Sequence, residues 1–489
     1  MISLRLFVPC VSAAHADQAR IPVIRDIAIR GNIRTRTEVI RRELLFAPGD
    51  QLDSSLVSET ARNLRQLLFL GKVDIHVRKK DGTADILVEV NDLYARALSP
   101  LLSGEAGELS YGLVALDYNF LGRGQEVQLT VEHDAISGNS ASVYYRMPRL
   151  LGSRHALTTR LDGGQEGYDV QLVFARPLHA LSARRAYGAS FFMQEQVHRL
   201  YANQGLSDRY TQQAGGGALW LTRSFGNRIK YRPSVRLSLT DRRFTPDPGY
   251  TYAPRNRRRV LPSLGFTVWR PRYEKARFIY ALGRTEDLQT GSWLSVRAGL
   301  SHKGLGSDQN FRTFQARLSP RFKPYENVYA FTTLFLSARH RQGGYFHLFS
   351  VAELLTYIQL RGIHTLALRL RWDALDRPED ASQLLLGVNR GLRGYAPRRF
   401  DGTRRVLLNL EARPTLYRHP AFVIAGALFI DGGAAWTPGL TPSSLNFASG
   451  VGTRLGLTQV YNNLILRADL SYAFQDKAWQ IFVGIGQYF

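Results

Sequence analysis

Thr365-Leu366-Ala367-Leu368-Arg369-Leu370-Arg371-Trp372-Asp373 alternates without a break. In an extended chain Leu366, Leu368, Leu370 and Trp372 fall on one side, and Arg369, Arg371 and Asp373 on the other. The same period of two runs outward in both directions. Upstream, Val127, Leu129 and Val131 alternate with Gln128, Thr130 and Glu132. Downstream, Leu464, Leu466, Ala468, Leu470, Tyr472 and Phe474 oppose Arg467, Asp469 and Ser471. From Tyr94 to Phe489 no helical interval interrupts the pattern. So many strands cannot close around one apolar core, but they can close around a polar lumen with the apolar faces turned to lipid. The spacing predicts a transmembrane antiparallel β-barrel over 94–489, with about 16 strands. If both chain ends lie on one side of the membrane, the number is even.

Composition agrees. No stretch of the 489 residues reaches the ~18 apolar residues that a membrane helix needs, although 44% of the chain is hydrophobic. The net charge of +24 comes from Lys and Arg scattered through strands rather than gathered on one face. That dispersal fits a polar lumen and rims facing anionic lipid, and argues against nucleic acid as a partner. Residues 1–16 read as an export signal, with Arg5, the apolar Leu6-Phe7-Val8 and the cleavage-like Ala14-His15-Ala16. The single cysteine, Cys10, lies within that segment, and Val8-Pro9 is a poor context for lipid attachment there. The mature chain therefore has no disulfide and no thiolate metal site. His133, His155, His179 and His198 stand apart with no ligand-spaced partner, so no metal, cofactor or catalytic residue is expected.

Ahead of the barrel, Val23 to Asp92 reads as β-α-α-β-β. Ile24, Ile27 and Ile29 open a strand that ends at Gly31-Asn32. Val39, Ile40, Leu44 and Leu45 mark a first helix over Thr37 to Leu45. Asp53 caps a second, along which Leu56, Val57, Ala61, Leu64, Leu67 and Leu68 recur at helical spacing up to Gly71. Val73 to Val77 and Ala84 to Val90 form a hairpin around Asp81-Gly82. Such a unit is either a spacer or a docking module whose sheet edge accepts an extended client.

Three segments carry a more specific pattern. Gly391-Leu392-Arg393-Gly394-Tyr395 lies in a 28-residue connection from Asp376 to Thr403, and Asn409-Leu410-Glu411-Ala412-Arg413 and Phe429-Ile430-Asp431-Gly432-Gly433 follow it. Glycines on both sides of Arg393 permit tight backbone approach. Asp431 falls on the polar side of its strand beside a second glycine pair, and Asn409, Glu411 and Arg413 share one lumen wall. In the last strand Trp479, Ile481, Val483, Ile485 and Phe489 share a face with Gln487, while Gly484 and Gly486 on the other permit a kink. Phe489, ending on an aromatic, is expected at the periplasmic lipid interface.

In these motifs the chain resembles the Omp85 superfamily of the BamA/TamA and surface antigen D15 type, and residues 21–92 resemble a POTRA domain. The resemblance implies that loop 376–403 folds into the lumen, where Arg393, Gly394 and Tyr395 pack against the wall bearing Asp431 and Gly433. It also implies an outer-membrane location, with the small domain in the periplasm. The function implied is insertion or translocation of proteins without nucleotide or cofactor, by a barrel seam or lumen to which the small domain presents an unfolded or periplasmic client. The expected surroundings are outer-membrane lipid and lipopolysaccharide, and the barrel is expected to be monomeric. With a single POTRA-like domain the chain looks like a shorter, accessory member. A passive pore or surface scaffold is the competing reading, favoured if the seam is fully zipped and the lumen firmly plugged.

Overall fold

The structure, a computed structural model, describes residues 21–105, 108–202, 205–439, 444–460 and 464–489. The export-signal reading of residues 1–16 lies outside the described residues.

The small domain has the expected element order. Strand β1 (Val23–Arg30) runs parallel to β3 (Thr83–Asp92), and β2 (Leu70–Lys80) pairs antiparallel on the other side of β3, giving the order β1-β3-β2. Helix α1 (Thr37–Arg41) is shorter than the apolar stripe suggested. Glu43 and Leu44 donate to Ile40 and Arg41 three residues back, so the chain tightens instead of adding a second turn. Helix α2 (Ser54–Arg65) starts at Asp53, whose Oδ1 accepts from Ser55 N at 2.8 Å. That contact and the Ser55 hydroxyl hold the Asp53 carboxyl below its ordinary range. Both helices cover one sheet face, burying Ile24, Ile40, Leu64, Leu70, Ile86 and Val88.

The barrel corrects the expected strand number. Twenty-two strand segments run in one closed antiparallel sheet from β4 (Arg96–Glu105) to Ala478–Ile485. Phe311–Ser319 and Arg321–Tyr325 both pair with Val328–Arg341, and Arg404–Arg413 and Thr415–His419 both pair with Phe422–Trp436. Each couple is one strand broken at a proline, Pro320 or Pro414, which cannot donate to the ladder. The barrel thus has twenty strands, not about sixteen. The undercount arose between Arg96 and Arg176, where short apolar runs read as loops or fragments. Each is a complete strand of 9 to 13 residues, and ~9–11 tilted residues suffice to cross a membrane. Lys230–Pro246 and Arg257–Trp269 are joined by the connection 247–256.

Leu129, Val131, Leu219, Leu264, Leu370 and Trp372 are exposed on the outer face, as the alternation requires. At one end, the small domain docks on the turn after Glu108–Phe120. Arg36 N donates to Gly122 O at 3.0 Å, and Asn119 Nδ2 to Thr35 Oγ1 at 2.8 Å. A Cβ on Gly122, whose φ is +70°, would lie 2.5 Å from Arg34 O, so this close approach requires glycine.

Two segments enter the lumen. The first is 376–403, from the far end. The second, which the sequence did not indicate, is 270–292 between Arg257–Trp269 and Trp293–Ser301. Its stem is a two-stranded hairpin, Tyr273–Ala276 with Glu286–Gln289. Its tip crosses the barrel mouth, where Ile279 packs with Tyr329, Phe331, Tyr357 and Ala367, and Leu282 with Val423 and Ile465. The small domain grips the stem: Arg65 donates to both oxygens of Asp287 at 2.7 Å, Arg284 donates to Leu70 O at 3.0 Å, and Arg62 stacks on Tyr273.

Candidate functional site

Loop 376–403 brings Arg393 to a fully buried position against the wall made by Arg404–Arg413, Phe422–Trp436, Asn446–Leu457 and Ile465–Ala473. Its Nε donates to Asp431 Oδ2 at 2.6 Å and its second nitrogen to Oδ1 at 3.0 Å, a fork matched to a carboxylate. The remaining nitrogen donates to Glu411 Oε2 at 2.5 Å and lies 3.6 Å from Asp469. The guanidinium is held between two rings, 3.4 Å from the centroid of Phe429 and 4.2 Å from that of Tyr488.

The neighbours complete the layer. Asn409 Nδ2 donates to Asp431 Oδ1 and to Gly391 O, both at 2.8 Å, tying wall to loop. Arg454 joins Asp469 and Glu411 at 2.6 and 3.3 Å. Arg413 donates to Glu411 at 2.7 Å, to Ile279 O at 3.3 Å and to Phe489 O at 2.9 Å. Buried charges of this kind persist only when each is paired and hydrogen-bonded.

The glycines fit their places. Gly394 has φ +86°, and a Cβ there would stand 3.0 Å from Ala448 Cβ and 3.3 Å from Ala473 N. A Cβ on Gly433 would meet Leu386 at 3.1 Å. Tyr395, fully buried, sets its hydroxyl 2.9 Å from Phe447 O and against Gln475 Oε1. Arg393, Asn409, Glu411, Arg413 and Asp431 therefore meet in one hydrogen-bonded layer, with Gly394, Tyr395 and Gly433 packed beside it. Phe429, Arg454, Asp469 and Tyr488 belong to it too. Asp469 was visible as a lumen-facing residue, but only the folded contacts show that Arg393 and Arg454 join it to Glu411.

Phe489 requires a correction. The last strand ends at Ile485, and Gly486, at φ +84°, turns the chain inward. Phe489 packs against the Ile279–Tyr357 cluster inside the mouth, not at the lipid interface, and Tyr488 donates to Val388 O at 2.8 Å. The arginine layer draws both aromatics in by cation–π contact, and glycine supplies the left-handed conformation that the turn needs.

The turn opens the seam. The last strand shares eight registered pairs with Ile465–Ala473, and β4 shares ten with Glu108–Phe120. Between the last strand and β4 a single pair is registered among the described residues, Val483 with Gly104. A straight continuation would have run beside the lower part of β4, and the turn at Gly486 removes it. Leu98 and Leu102 on that edge are 71% and 45% exposed. Pro100 lies within the edge, where a missing N–H costs least.

Among the described residues, no group of three His, Cys, Asp or Glu side chains is placed to hold a metal ion, and no helix is long and apolar enough to cross a membrane. A family model for POTRA, "Surface antigen variable number repeat", matches residues 22–92. A candidate outer membrane protein assembly factor of Treponema pallidum is 29% identical over 114 residues, 22% of this chain and 14% of that protein. The outer membrane protein assembly factor BamA of Neorickettsia risticii is 26% identical over 233 residues, 46% of this chain and 31% of its own length. Residues 22–92 are a POTRA domain, and the chain is similar to outer membrane assembly factors of the BamA type. The chain stands in the outer membrane, with the POTRA domain and the mouth crossed by 270–292 on the periplasmic side. The aligned regions span less than a third of either curated relative. Among solved structures, BamA from Haemophilus ducreyi lacking POTRA domains 1–3 aligns at 14% identity over 95% of this chain and 85% of that one, with a TM-score of 0.43.

Proposed function

We propose that this protein inserts or translocates polypeptide clients at the outer membrane, using neither nucleotide nor cofactor. The observation that carries this reading is the single registered pair at the seam. Unpaired N–H and C=O groups in a membrane are costly, so the β4 edge is a ready template for an incoming strand. A client hairpin pairing there would satisfy those groups and leave sideways into lipid. The POTRA domain offers its edge strands β1 and β2 to an extended periplasmic client. On this reading the barrel works as one chain, its apolar outer face among lipid and lipopolysaccharide. Loop 376–403, pinned through Arg393, acts as a lumen lock that keeps the wall beside the seam rigid while the seam itself yields.

The test is a switchable staple. Cα atoms paired across antiparallel strands lie ~4.5–5.5 Å apart, within disulfide reach. Gly104→Cys with Val483→Cys, reconstituted in vesicles, should fail to insert a denatured barrel client when oxidised and recover on reduction. Equal insertion in both states would overturn the seam route.

A further inference from the structure

The lumen has a second wall, formed by Lys230–Pro246, Arg257–Trp269, Trp293–Ser301 and Phe311–Ser319, which pair in that order. Their lumen-facing positions hold no Asp or Glu. They do hold Arg232, Arg236, Arg242, Arg297 and Arg317, and no ion pair among the described residues reaches any of the five. Aromatic rings support three of them instead: Arg232 over Trp269 at 4.5 Å, Arg236 over Trp220 at 5.6 Å and Arg317 over Phe335 at 5.5 Å. Stacking keeps a guanidinium in place while leaving its N–H donors unspent. Arg242 stands directly opposite Arg257, a like-charge pair that costs stability unless an anion lies nearby.

At the surface end of this wall an anion does lie nearby, and it belongs to the chain itself. Asp380 takes a fork from Arg257 at 2.7 and 2.6 Å, and Glu379 pairs with Arg259 and Arg339. Both carboxylates come from the first turn of loop 376–403. Below them Arg236, Arg297 and Arg232 continue half-buried toward the periplasm, and Gln315 and Arg317 are exposed. Arg232 and Arg242 are ten residues apart, about 33 Å along a strand. Arg232 borders a periplasmic cavity of about 410 Å³ lined by α2, by Arg146, Arg149 and Trp269, and by Glu43, Glu59 and Glu126.

We propose that this wall is an arginine track that binds an extended acidic stretch of polypeptide, the Glu379–Asp380 segment being its built-in occupant at the top. The inference rests on the insertase reading only in taking the client to be a polypeptide, and it adds the client's chemistry and a path along the lumen. Serines and threonines between the arginines (Ser234, Ser238, Thr240, Ser263, Thr313) make the surface tolerant of sequence and selective for charge.

The probe is a labelled synthetic peptide of alternating Glu and Ser, about ten residues long to match the track, titrated onto the full protein in nanodiscs. The control peptide carries Lys in place of Glu. The acidic peptide should bind, the basic one should not, and affinity should fall as salt is raised. Arg232→Gln/Arg236→Gln/Arg297→Gln, none of which touches loop 376–403, should weaken binding about tenfold, the scale of one charge-assisted contact. Glu379→Gln/Asp380→Asn frees the top of the track and should tighten binding several-fold, which keeps the proposal open to refutation if the triple variant does not fold. Equal binding of both peptides, or no change in either variant, would overturn it. So would a preference for lipopolysaccharide over peptide that the triple variant loses, which would assign the track to lipid phosphate. Binding is measured with the seam staple oxidised and reduced. It does not require insertion, so failure of the seam route leaves this result readable by itself.

Discussion

The two walls of the lumen carry similar numbers of arginines and use them in opposite ways. On the wall beside the seam, Arg393, Arg413, Arg454 and Arg467 are interleaved with Glu411, Asp431 and Asp469, and nearly every member is buried. On the opposite wall, below Arg257 and Arg259, Arg232, Arg236 and Arg317 lean on aromatic rings, half-buried or exposed, and pair with no carboxylate among the described residues. Charge that is buried must be paired, whereas charge left wet remains available to a ligand. One wall is therefore built to hold its own loop, and the other to hold something that arrives. Segment 270–292 joins them, leaving from the arginine wall and ending on the paired one through Ile279 and Leu282.

The largest effect should come from breaking the paired wall. Arg393→Ala leaves Asp431 and Glu411 without their main partner and should cost ~3–5 kcal/mol locally. The expected readouts are a lower unfolding midpoint and faster proteolysis of loop 376–403. Arg393→Lys should recover only part of the loss, because lysine keeps the charge without the planar fork. A double-mutant cycle with Asp431→Asn should show strong coupling, and strictly additive losses would mean that the pair is not the pin.

An intermediate effect is expected where the POTRA domain grips the bridge between the walls. Asp287→Ala removes a two-pronged contact of small exposure, a charged hydrogen bond of ~1.5–3 kcal/mol. Amide exchange over 277–285 should quicken while exchange in the barrel strands stays unchanged. Unaltered exchange at the tip would mean that its packing, not the POTRA domain, holds it.

The smallest effect should come from the arginine wall. Arg236→Gln breaks no ion pair and should shift stability by no more than ~0.5 kcal/mol. A loss comparable to that of Arg393→Ala would erase the contrast between the walls.

How far these features were legible in the sequence depends on their range. Alternation along Thr365–Asp373 reports which way each side chain points, and that is local, so barrel and lumen faces were readable. The count was not, because a strand of nine residues and a fragment of a longer one look alike until partners are known. Arg393 was readable from its flanking glycines and from the resemblance to Omp85 motifs. Arg454 and Asp469 were not, since register decides which residues on neighbouring strands share a height. Segment 270–292 left one trace, the run Phe278-Ile279-Tyr280-Ala281-Leu282, where alternation stops. Phe489 was misplaced because a terminal aromatic suits lipid and a cation equally well, and the inward turn is decided by an arginine layer assembled from distant strands.

The turn at Gly486 also sets an order of events. Tyr488 forms one face of the clamp around Arg393, and Arg413 holds Phe489 O. Both residues follow every described barrel strand, so the central layer stays incomplete until Tyr488 and Phe489 have been made and exported. Contacts so far apart in sequence form late. Until then loop 376–403 has nothing to close upon its second face, and the nascent wall remains pliable. The finished layer thus doubles as a record that every barrel strand has been made, and a chain cut short before Tyr488 should linger in the periplasm as a substrate for proteases.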